Sequence, residues 1–220
     1  MPRQYNSKET LERIINASLK LFKERGFDNT SMQDIVTASE MSKGAIFYHF
    51  KSKEEIFDAA FERDFTVAKE RFYQLLAELD GRTAKEKMEF LLCANIADVE
   101  LSSAIWGLVF VASASPHLVL TNMRNNLKEV APIIAALIQE GKSDGSISTE
   151  FSDEWAEVFT LLYNHLCDMF TFPCDLPTLR RRLTFLQHLM KQAGCDIMSD
   201  EIIELNMTLM ENIYKEMQNG

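Results

Sequence analysis

The stretch that decides the fold is residues 30–55, TSMQDIVTASEMSKGAIFYHFKSKEE, because it holds three helix starts within 23 residues. Breaks of only two or three residues separate the helices, which predicts short helices over residues 31–39 and 43–50 and then a long helix. Ser42 and Ser52 each stand where an N-cap is needed, and serine is among the best N-cap residues. This arrangement is typical of a helix-turn-helix followed by a linking helix.

Two capping boxes support the helix starts. We expect Thr30 to accept the backbone amide proton of Gln33 while the Gln33 side chain bonds back, and we expect the same exchange between Ser52 and Glu55. A preceding helix is predicted from about residue 7 to residue 25. The first 50 residues are therefore predicted to form three helices.

The third helix has two different faces. Ile46 and Phe50 are expected to pack against the first two helices, which turns Lys43, Gly44 and Tyr48 outward. At 1.5 Å per residue the helix spans ~12 Å, which matches the ~12 Å width of the DNA major groove. Gly44 allows close approach of the backbone, and Lys43 can donate to guanine or to phosphate. Tyr48 can contact a thymine methyl group or a phosphate.

This part of the chain resembles the N-terminal domain of TetR-family transcriptional regulators, over about a fifth of the sequence. The segments that carry the resemblance are residues 21–22, 26–27, 30–35 and 41–54. The resemblance implies an all-α fold, with an N-terminal three-helix helix-turn-helix DNA-binding domain and a larger C-terminal helical domain for ligand binding and dimerisation. We expect these domains to cover residues 1–57 and 58–220.

In that family, certain positions commonly lie at the DNA. Together with the neighbouring helix starts, they correspond here to Thr30, Ser31, Ser42, Lys43, Gly44, Ala45, Phe47, Tyr48, His49 and Lys53. Ala45 stands where the family usually has Thr or Ser, and Phe47 where it usually has Tyr, so each should remove one phosphate hydrogen bond. Glu40, at a position that is usually a small residue, places an anion near the DNA.

The charge distribution also separates two parts of the chain. The 220 residues carry a net charge of −10. Residues 1–57 hold 9 Lys/Arg and 8 Asp/Glu, a net of +1, whereas residues 58–220 hold 14 and 25, a net of −11. We call residues 1–57 the head and residues 58–220 the body. The body is acidic, whereas the near-neutral head can carry a local phosphate-binding surface.

Composition argues against several other classes of protein. The four cysteines form neither a Cys-x-x-Cys motif nor a zinc-site spacing, so we expect reduced thiols, no bound metal and a cytoplasmic protein. Residues 1–9 lack the apolar stretch of a secretory signal. Residues 101–123 carry no Asp, Glu, Lys or Arg, but their continuous apolar core covers only residues 104–112. A membrane span needs roughly 20 apolar residues, so we expect a buried segment and no membrane partner.

The rest of the chain is predicted to be helical, since caps and Gly or Pro breaks bound runs of helical periodicity. The predicted helices cover residues 52–79, 84–100, a short helix around Trp106 and Phe110, 116–140, 152–172, 178–193 and 199–217, with a loop at 142–150.

The late helices are candidates for dimerisation. Helix 152–172 is apolar nearly all round, which indicates burial on two sides. By resemblance to the family, helices 153–172 and 176–193 pair with their copies as a four-helix bundle, giving a two-fold homodimer. The expected interface residues are Leu162, Leu166, Leu179, Leu183, Leu186 and Met190. The stripe on the second helix is equally compatible with a core inside one chain.

By the same resemblance, the body holds a pocket for an apolar or aromatic effector. The candidate lining residues are Asn95, Trp106, Phe110, Tyr163, Asn164 and His165. Aromatic residues at helical spacing more often belong to an ordinary core. The acidic balance of the body favours a neutral or cationic effector.

The sequence contains no Gly-rich phosphate loop and none of the common hydrolase or metalloprotease motifs, so we expect no catalysis and no cofactor. The leading hypothesis is a ligand-responsive repressor that binds a near-palindromic DNA operator as a homodimer through residues 42–50. Effector binding in the C-terminal domain would alter the spacing of the two recognition helices. The alternatives are a redox-responsive regulator of the same fold, acting through Cys167 and Cys174, and a non-catalytic helical small-molecule carrier.

Overall fold

The computed structural model describes residues 7–219, apart from the side chains of residues 7, 99–105, 214 and 216–219. Every regular element in this part is a helix, as the sequence predicts. In chain order they are α1 (Ser7–Arg25), α2 (Met32–Ser39), α3 (Lys43–His49), α4 (Lys53–Ala77), α5 (Ala84–Ala97), α6 (Val99–Ser113), α7 (Pro116–Glu129), α8 (Ala131–Asp144), α9 (Ser152–Leu161), α10 (Leu176–Gln192) and α11 (Asp200–Asn219). A π-helical turn, Leu162–Leu166, continues α9. Within residues 7–219, none of the helices combines the length and the apolar character that a membrane crossing requires.

The first three helices form a helix-turn-helix around a common apolar core. Ile46 and Phe50 are buried in it, while Lys43, Gly44 and Tyr48 lie on the exposed side of α3. The other buried members of this core from the first four helices and the loops between them are Ile14, Ile15, Leu21, Phe22, Phe27, Ile35, Met41, Ile56, Phe57 and Ala60. The two-sided character predicted for α3 is confirmed.

The cap of α2 lies one residue later than predicted. Ser31, not Thr30, is the N-cap, and it exchanges hydrogen bonds with Asp34, not with Gln33. Thr30 instead donates its hydroxyl hydrogen to the carbonyl of Gly26 (2.8 Å). Threonine and serine both cap helices well, so the pattern of residue types alone did not separate these two neighbours.

The other two caps follow the prediction more closely. The Ser42 hydroxyl accepts the backbone N–H of Ala45 (3.1 Å), and the Ser52 hydroxyl accepts that of Glu55 (3.3 Å). The Glu55 carboxylate, however, accepts the N–H of Lys51 rather than closing a capping box with Ser52. The helix starts are therefore where the sequence predicts them.

The N-terminal core is not closed by residues 1–57 alone. The apolar cluster extends along α4 to Ala60 and takes in Leu108, Val111 and Leu118 from α6 and α7. Helix α6 also packs against both α1 and α4. The predicted domain boundary at residue 57 therefore falls inside a continuous helix and inside a shared core, which links the head directly to the body.

Helix α10 turns its apolar stripe into its own chain. Leu179, Leu183, Leu186 and Met190 are essentially inaccessible and belong to the C-terminal core. The prediction that these four residues form a dimer interface is wrong, because a side chain enclosed by its own chain cannot contact a partner. Periodicity shows which residues share a face but not which element covers that face.

The predicted helix 116–140 is in fact two helices, α7 and α8, which meet at Val130. Pro132 lacks a backbone N–H, and in a continuous helix its ring would clash with a carbonyl one turn earlier. Helix α8 then continues to Asp144, so the predicted loop 142–150 begins only at Gly145. The φ of +81° at Gly145 is one that glycine adopts readily.

The predicted helix 152–172 is shorter than expected. The π-helical turn ends at Leu166, and a turn organised by Asp168 follows. The Asp168 Oδ1 atom accepts the backbone N–H groups of Phe170 and Thr171 (2.6 and 2.5 Å). The predicted helix 84–100 is likewise interrupted, at Asp98 between α5 and α6.

Candidate nucleic-acid interface and effector cavity

The outer face of α3 is open. Tyr48 is 84% exposed and Phe47 is 42% exposed. The Lys43 Nζ atom lies 5.7 Å from the centroid of the Phe47 ring, and Lys43 pairs with no carboxylate in the described part of the chain. A Cβ atom added at Gly44 would meet nothing within 4 Å. The outer face of α3 therefore presents a cation, two aromatic rings and, at Gly44, a stretch of backbone that another molecule can approach closely.

The neighbouring helix starts frame this face. Ser31 and Ser42 are both exposed. The Ser31 hydroxyl and N–H hold the pKa of Asp34 below its usual range, because both donate to that carboxylate. Ala45 and His49 are half-buried, and the His49 ring lies edge-on to Tyr48 at 5.0 Å.

Two of the expected DNA contacts are turned inward. Thr30 is 2% exposed and its hydroxyl is already bonded, so its predicted place at the DNA surface is wrong. Lys53 is half-buried, and its Nζ atom donates to the backbone carbonyls of Phe27 and Asp28 (2.7 and 3.2 Å). The same Nζ atom lies 4.5 Å from the centroid of the Phe27 ring. Lys53 thus holds the α1–α2 loop in place.

Glu40 has a role that the sequence left unassigned. It ends α2 in the left-handed conformation, with φ at 54°, and its carboxylate bonds the Arg13 guanidinium at 2.6 Å. Arg13 lies on α1, 27 residues away, so no local pattern signals the pair. The ion pair fixes the turn between α2 and α3 against α1.

A cavity of about 270 Å³ lies in the body, bounded by helices from α4 to α9, the π-helical turn and α11. Helix α4 contributes a row of aromatic side chains, at Phe57, Phe61, Phe65 and Phe72. The first three recur every four residues, which puts them on one helix face. The four-residue spacing of these phenylalanines could have predicted a cavity wall on α4, but they were not among the candidate effector residues predicted from the sequence.

The structure brings four of the six predicted effector residues to this cavity. Asn95, Trp106, Tyr163 and Asn164 line it, whereas Phe110 and His165 do not. Phe110 is partly exposed and packs edge-on against Phe170 at 5.7 Å. His165 is buried, with its Nε2 atom 3.3 Å from the Nδ2 atom of Asn126.

Sequence reasoning missed several polar groups of the cavity. Asn122, Asn126 and Asn206 line it, and the Tyr163 hydroxyl donates to Asn206 Oδ1 at 3.1 Å. Burial raises the pKa of Tyr163 to about 12, so this hydroxyl stays protonated and remains a donor. The available signal was the four-residue spacing of Asn122 and Asn126, which puts both on one face of α7.

The cysteines do not form a reactive pair. Burial raises the pKa of Cys167 to about 12 and also raises that of Cys174. The thiolate is the reactive form, so neither thiol is activated at neutral pH. This disfavours the redox-responsive alternative.

Among the residues that the structure describes, no three His, Cys, Asp or Glu side chains cluster so as to hold a metal ion.

Comparison with known proteins agrees with the helix-turn-helix. Residues 14–60 match the model of a family described as bacterial regulatory proteins, tetR family. The uncharacterized HTH-type transcriptional regulator YerO of Bacillus subtilis is 34% identical over 90 residues, which is 41% of this chain and 31% of that protein. The HTH-type transcriptional regulator UidR of Escherichia coli K12 is 23% identical over 193 residues, 87% of this chain and 94% of that protein.

The YerO match spans less than a third of that relative, whereas structural likeness extends over nearly the whole chain. A putative TetR-family transcriptional regulator from Syntrophomonas wolfei has a TM-score of 0.63 at 18% identity, covering 94% of this chain and 95% of that one. At this identity the likeness establishes the fold alone. Both sequence relatives are named as transcriptional regulators and not as enzymes.

Proposed function

We propose that the chain is a ligand-responsive repressor of the TetR family, which binds a near-palindromic operator as a homodimer; the match of residues 14–60 to that family's model supports the proposal. The observation that carries this proposal is the outer face of α3, where Lys43, Gly44, Phe47 and Tyr48 stand exposed while Ile46 anchors the helix in the core. A helix held in this way can enter the major groove of DNA. The proposal includes a cytoplasmic location, because that is where a bacterial regulator meets chromosomal DNA.

Each exposed side chain has a suitable contact on DNA. Lys43 donates to guanine O6/N7 or to a phosphate. Phe47 lacks a hydroxyl, so it suits apolar contact with a thymine methyl group. Tyr48 and Ser42 suit phosphate oxygens, which position the helix without specifying sequence.

The dimer contacts lie on the exposed sides of α9 and α10, not on the buried stripe. Phe185 of α10 is 57% exposed in the single chain, and Val158 of α9 is also exposed, as are Phe151 and Phe172 beside these helices. Exposed large apolar side chains are candidates for an interaction surface, and we propose that these four contribute to it. A second copy of the chain is the occupant that a two-fold operator requires.

The cavity is the effector site in this proposal, because two of its walls continue into the head. Helix α4 lines the cavity through Phe61 and Phe65, and its first turn holds the α1–α2 loop through Lys53. Helix α6, which lines the cavity through Trp106, packs against α1 and contributes Leu108 and Val111 to the N-terminal core. A ligand that moves α4 or α6 must therefore move the helix-turn-helix, and it shifts the equilibrium by its differential affinity for the two arrangements.

A mobility-shift titration against promoter fragments tests the proposal. We expect a specific complex whose sequence preference relaxes in Lys43→Ala, with a loss of about 1–3 kcal/mol on the preferred site. Lys142→Ala, which removes the same charge from the exposed end of α8, outside the proposed DNA and dimer contacts, is the matched control and should bind like the wild type. Absence of any sequence-specific complex at low salt would contradict the proposal.

A further inference from the structure

The charged side chains at the cavity are already paired. The Asp64 carboxylate lies 2.7 Å from the Arg63 guanidinium. Lys69 is partly exposed, and its Nζ atom lies 3.9 Å from the Glu129 carboxylate. An ionised ligand group would therefore leave water without finding an unpaired counter-charge, which is costly in an apolar cavity.

Two asparagines on α7 form one polar part of the cavity wall. Asn126 Nδ2 lies 3.4 Å from Asn122 Oδ1 and 3.3 Å from His165 Nε2. An amide nitrogen only donates, so both of its protons are used and the His165 Nε2 atom must be an acceptor. His165 thereby fixes which way the Asn126 carboxamide points.

The neutral state of His165 is consistent with its surroundings. Burial lowers its pKa, and no charged group acts on it appreciably. The ring proton then resides on Nδ1, which is enclosed without a hydrogen-bond partner in the described part of the structure. The ring is therefore held by packing and by the single bond to Asn126.

This arrangement leaves one donor and one acceptor unsatisfied at the cavity. Asn122 Nδ2 and Asn126 Oδ1 have no hydrogen-bond partner among the described residues. Neither atom is fully enclosed, since the enclosed unpaired side-chain atoms within residues 7–219 are those of Thr10, His165 and Asp168. Both asparagines line the cavity, and we infer that these two atoms face it.

We propose that the cavity selects an uncharged amphiphile whose polar end presents a hydrogen-bond acceptor next to a donor, such as a carboxamide. The donor and acceptor of the Asn122–Asn126 pair receive the polar end, and the phenylalanines of α4 with Trp106 receive the apolar body. His165 is a positioning residue that orients Asn126. This inference rests on the proposed role of the cavity as the effector site.

The test is calorimetric titration of the full chain, without DNA, at pH 8 with probes that differ only in the head group. One series is decanamide, decanoate and decylammonium; the second is 2-naphthamide, 2-naphthoate and 2-naphthylmethylammonium. In at least one series we expect the amide to bind about tenfold or more tightly than either charged analogue, the factor that one good neutral hydrogen bond supplies. Tight binding of a charged member instead, or no binding by any of the six probes, would overturn the proposal.

Two variants locate the selection. Asn122→Leu should reduce the preference for the amide to about threefold or less, whereas Asn212→Leu, an exposed asparagine on α11, should keep it. If Asn122→Leu kept the full preference for the amide over the charged probes, the Asn122–Asn126 pair would not be the site that receives the polar end of the ligand. The ranking of probes by the wild type does not depend on whether the variant folds. Because the titration contains no DNA, its result on ligand selectivity is independent of whether the protein binds an operator in the mobility-shift experiment.

Discussion

Lys43 and Lys53 are each the first residue of a helix, yet their surroundings differ. Lys43 is exposed and meets no carboxylate in the described part of the chain, whereas Lys53 bonds two backbone carbonyls of the α1–α2 loop. Residue type and position placed both at the DNA, Lys43 at guanine or phosphate and Lys53 at a backbone phosphate. The difference arises from Phe27 and Asp28, about 25 residues earlier, and no local pattern encodes that contact.

Lys53→Ala is expected to lower both the melting temperature and the affinity for every DNA sequence, because the loop before α2 loses its tether. The dependence of affinity on salt should change little, since the side chain neutralises no phosphate. Thermal denaturation and mobility shifts at several salt concentrations measure both effects. An unchanged melting temperature with a salt slope reduced by about one would show instead that Lys53 contacts phosphate directly.

His165 gives the fold an expected pH dependence. Because burial lowers its folded-state pKa below the ordinary 6.5, the unfolded chain binds the proton first as pH falls. Its contribution to stability is therefore complete above about pH 6.5 and is lost as pH drops below that value. Denaturant unfolding at pH 7.5 and pH 5.5 should show a smaller difference in His165→Gln than in the wild type, whereas exposed His188→Gln should behave like the wild type. Equal pH dependence in all three proteins would contradict this assignment.

Among the elements, the extents of both α3 and α10 were predictable, but only for α3 was it predictable what its apolar face packs against. Caps and four-residue spacing defined both faces of α3, because the short helix has one core to pack against. The stripe on α10 was equally regular, but it faces α11 and the remaining C-terminal core and not a partner chain. The breaks at Val130 and in the π-helical turn depend on Pro132 and on Asp168, which sequence periodicity alone did not weigh.

Gly44→Ala separates the stability of α3 from its function. Alanine is favoured over glycine in a helix by roughly 0.5–1 kcal/mol, and a Cβ atom at Gly44 meets nothing within 4 Å. We expect unchanged or higher stability together with weaker operator binding, because the added methyl group faces the DNA. Urea unfolding and mobility shifts on the same preparation measure both. Full operator affinity in this variant would contradict close approach of the Gly44 backbone to DNA.

At the scale of the whole molecule, head and body share α4 and α6. The residues that complete the N-terminal core from α6, such as Leu108 and Val111, lie beyond the domain boundary that the sequence predicted. The cavity is likewise assembled from elements between Phe57 and Leu209. Sequence reasoning could nominate Trp106 and Tyr163 as aromatic candidates, but it could not show that Asn126 meets His165, 39 residues away.

Phe185→Arg should convert the protein from dimer to monomer at micromolar concentration, because it places a charge on the exposed apolar side of α10. Sedimentation velocity measures the change. Leu120→Arg alters an exposed residue of α7, outside the proposed interface, and should leave the dimer intact. A wild-type protein that stays monomeric at every concentration would exclude the proposed assembly.

In the proposed complex, two copies of α3 enter successive major grooves of one DNA duplex. Hydroxyl-radical footprinting on the preferred site tests it most directly. We expect two protected regions, related by the two-fold symmetry of the site and centred one helical turn or a multiple of it apart, about 34–36 Å per turn, and their loss in Lys43→Ala. A single unsymmetrical protected region, or protection that persists in Lys43→Ala, would contradict it.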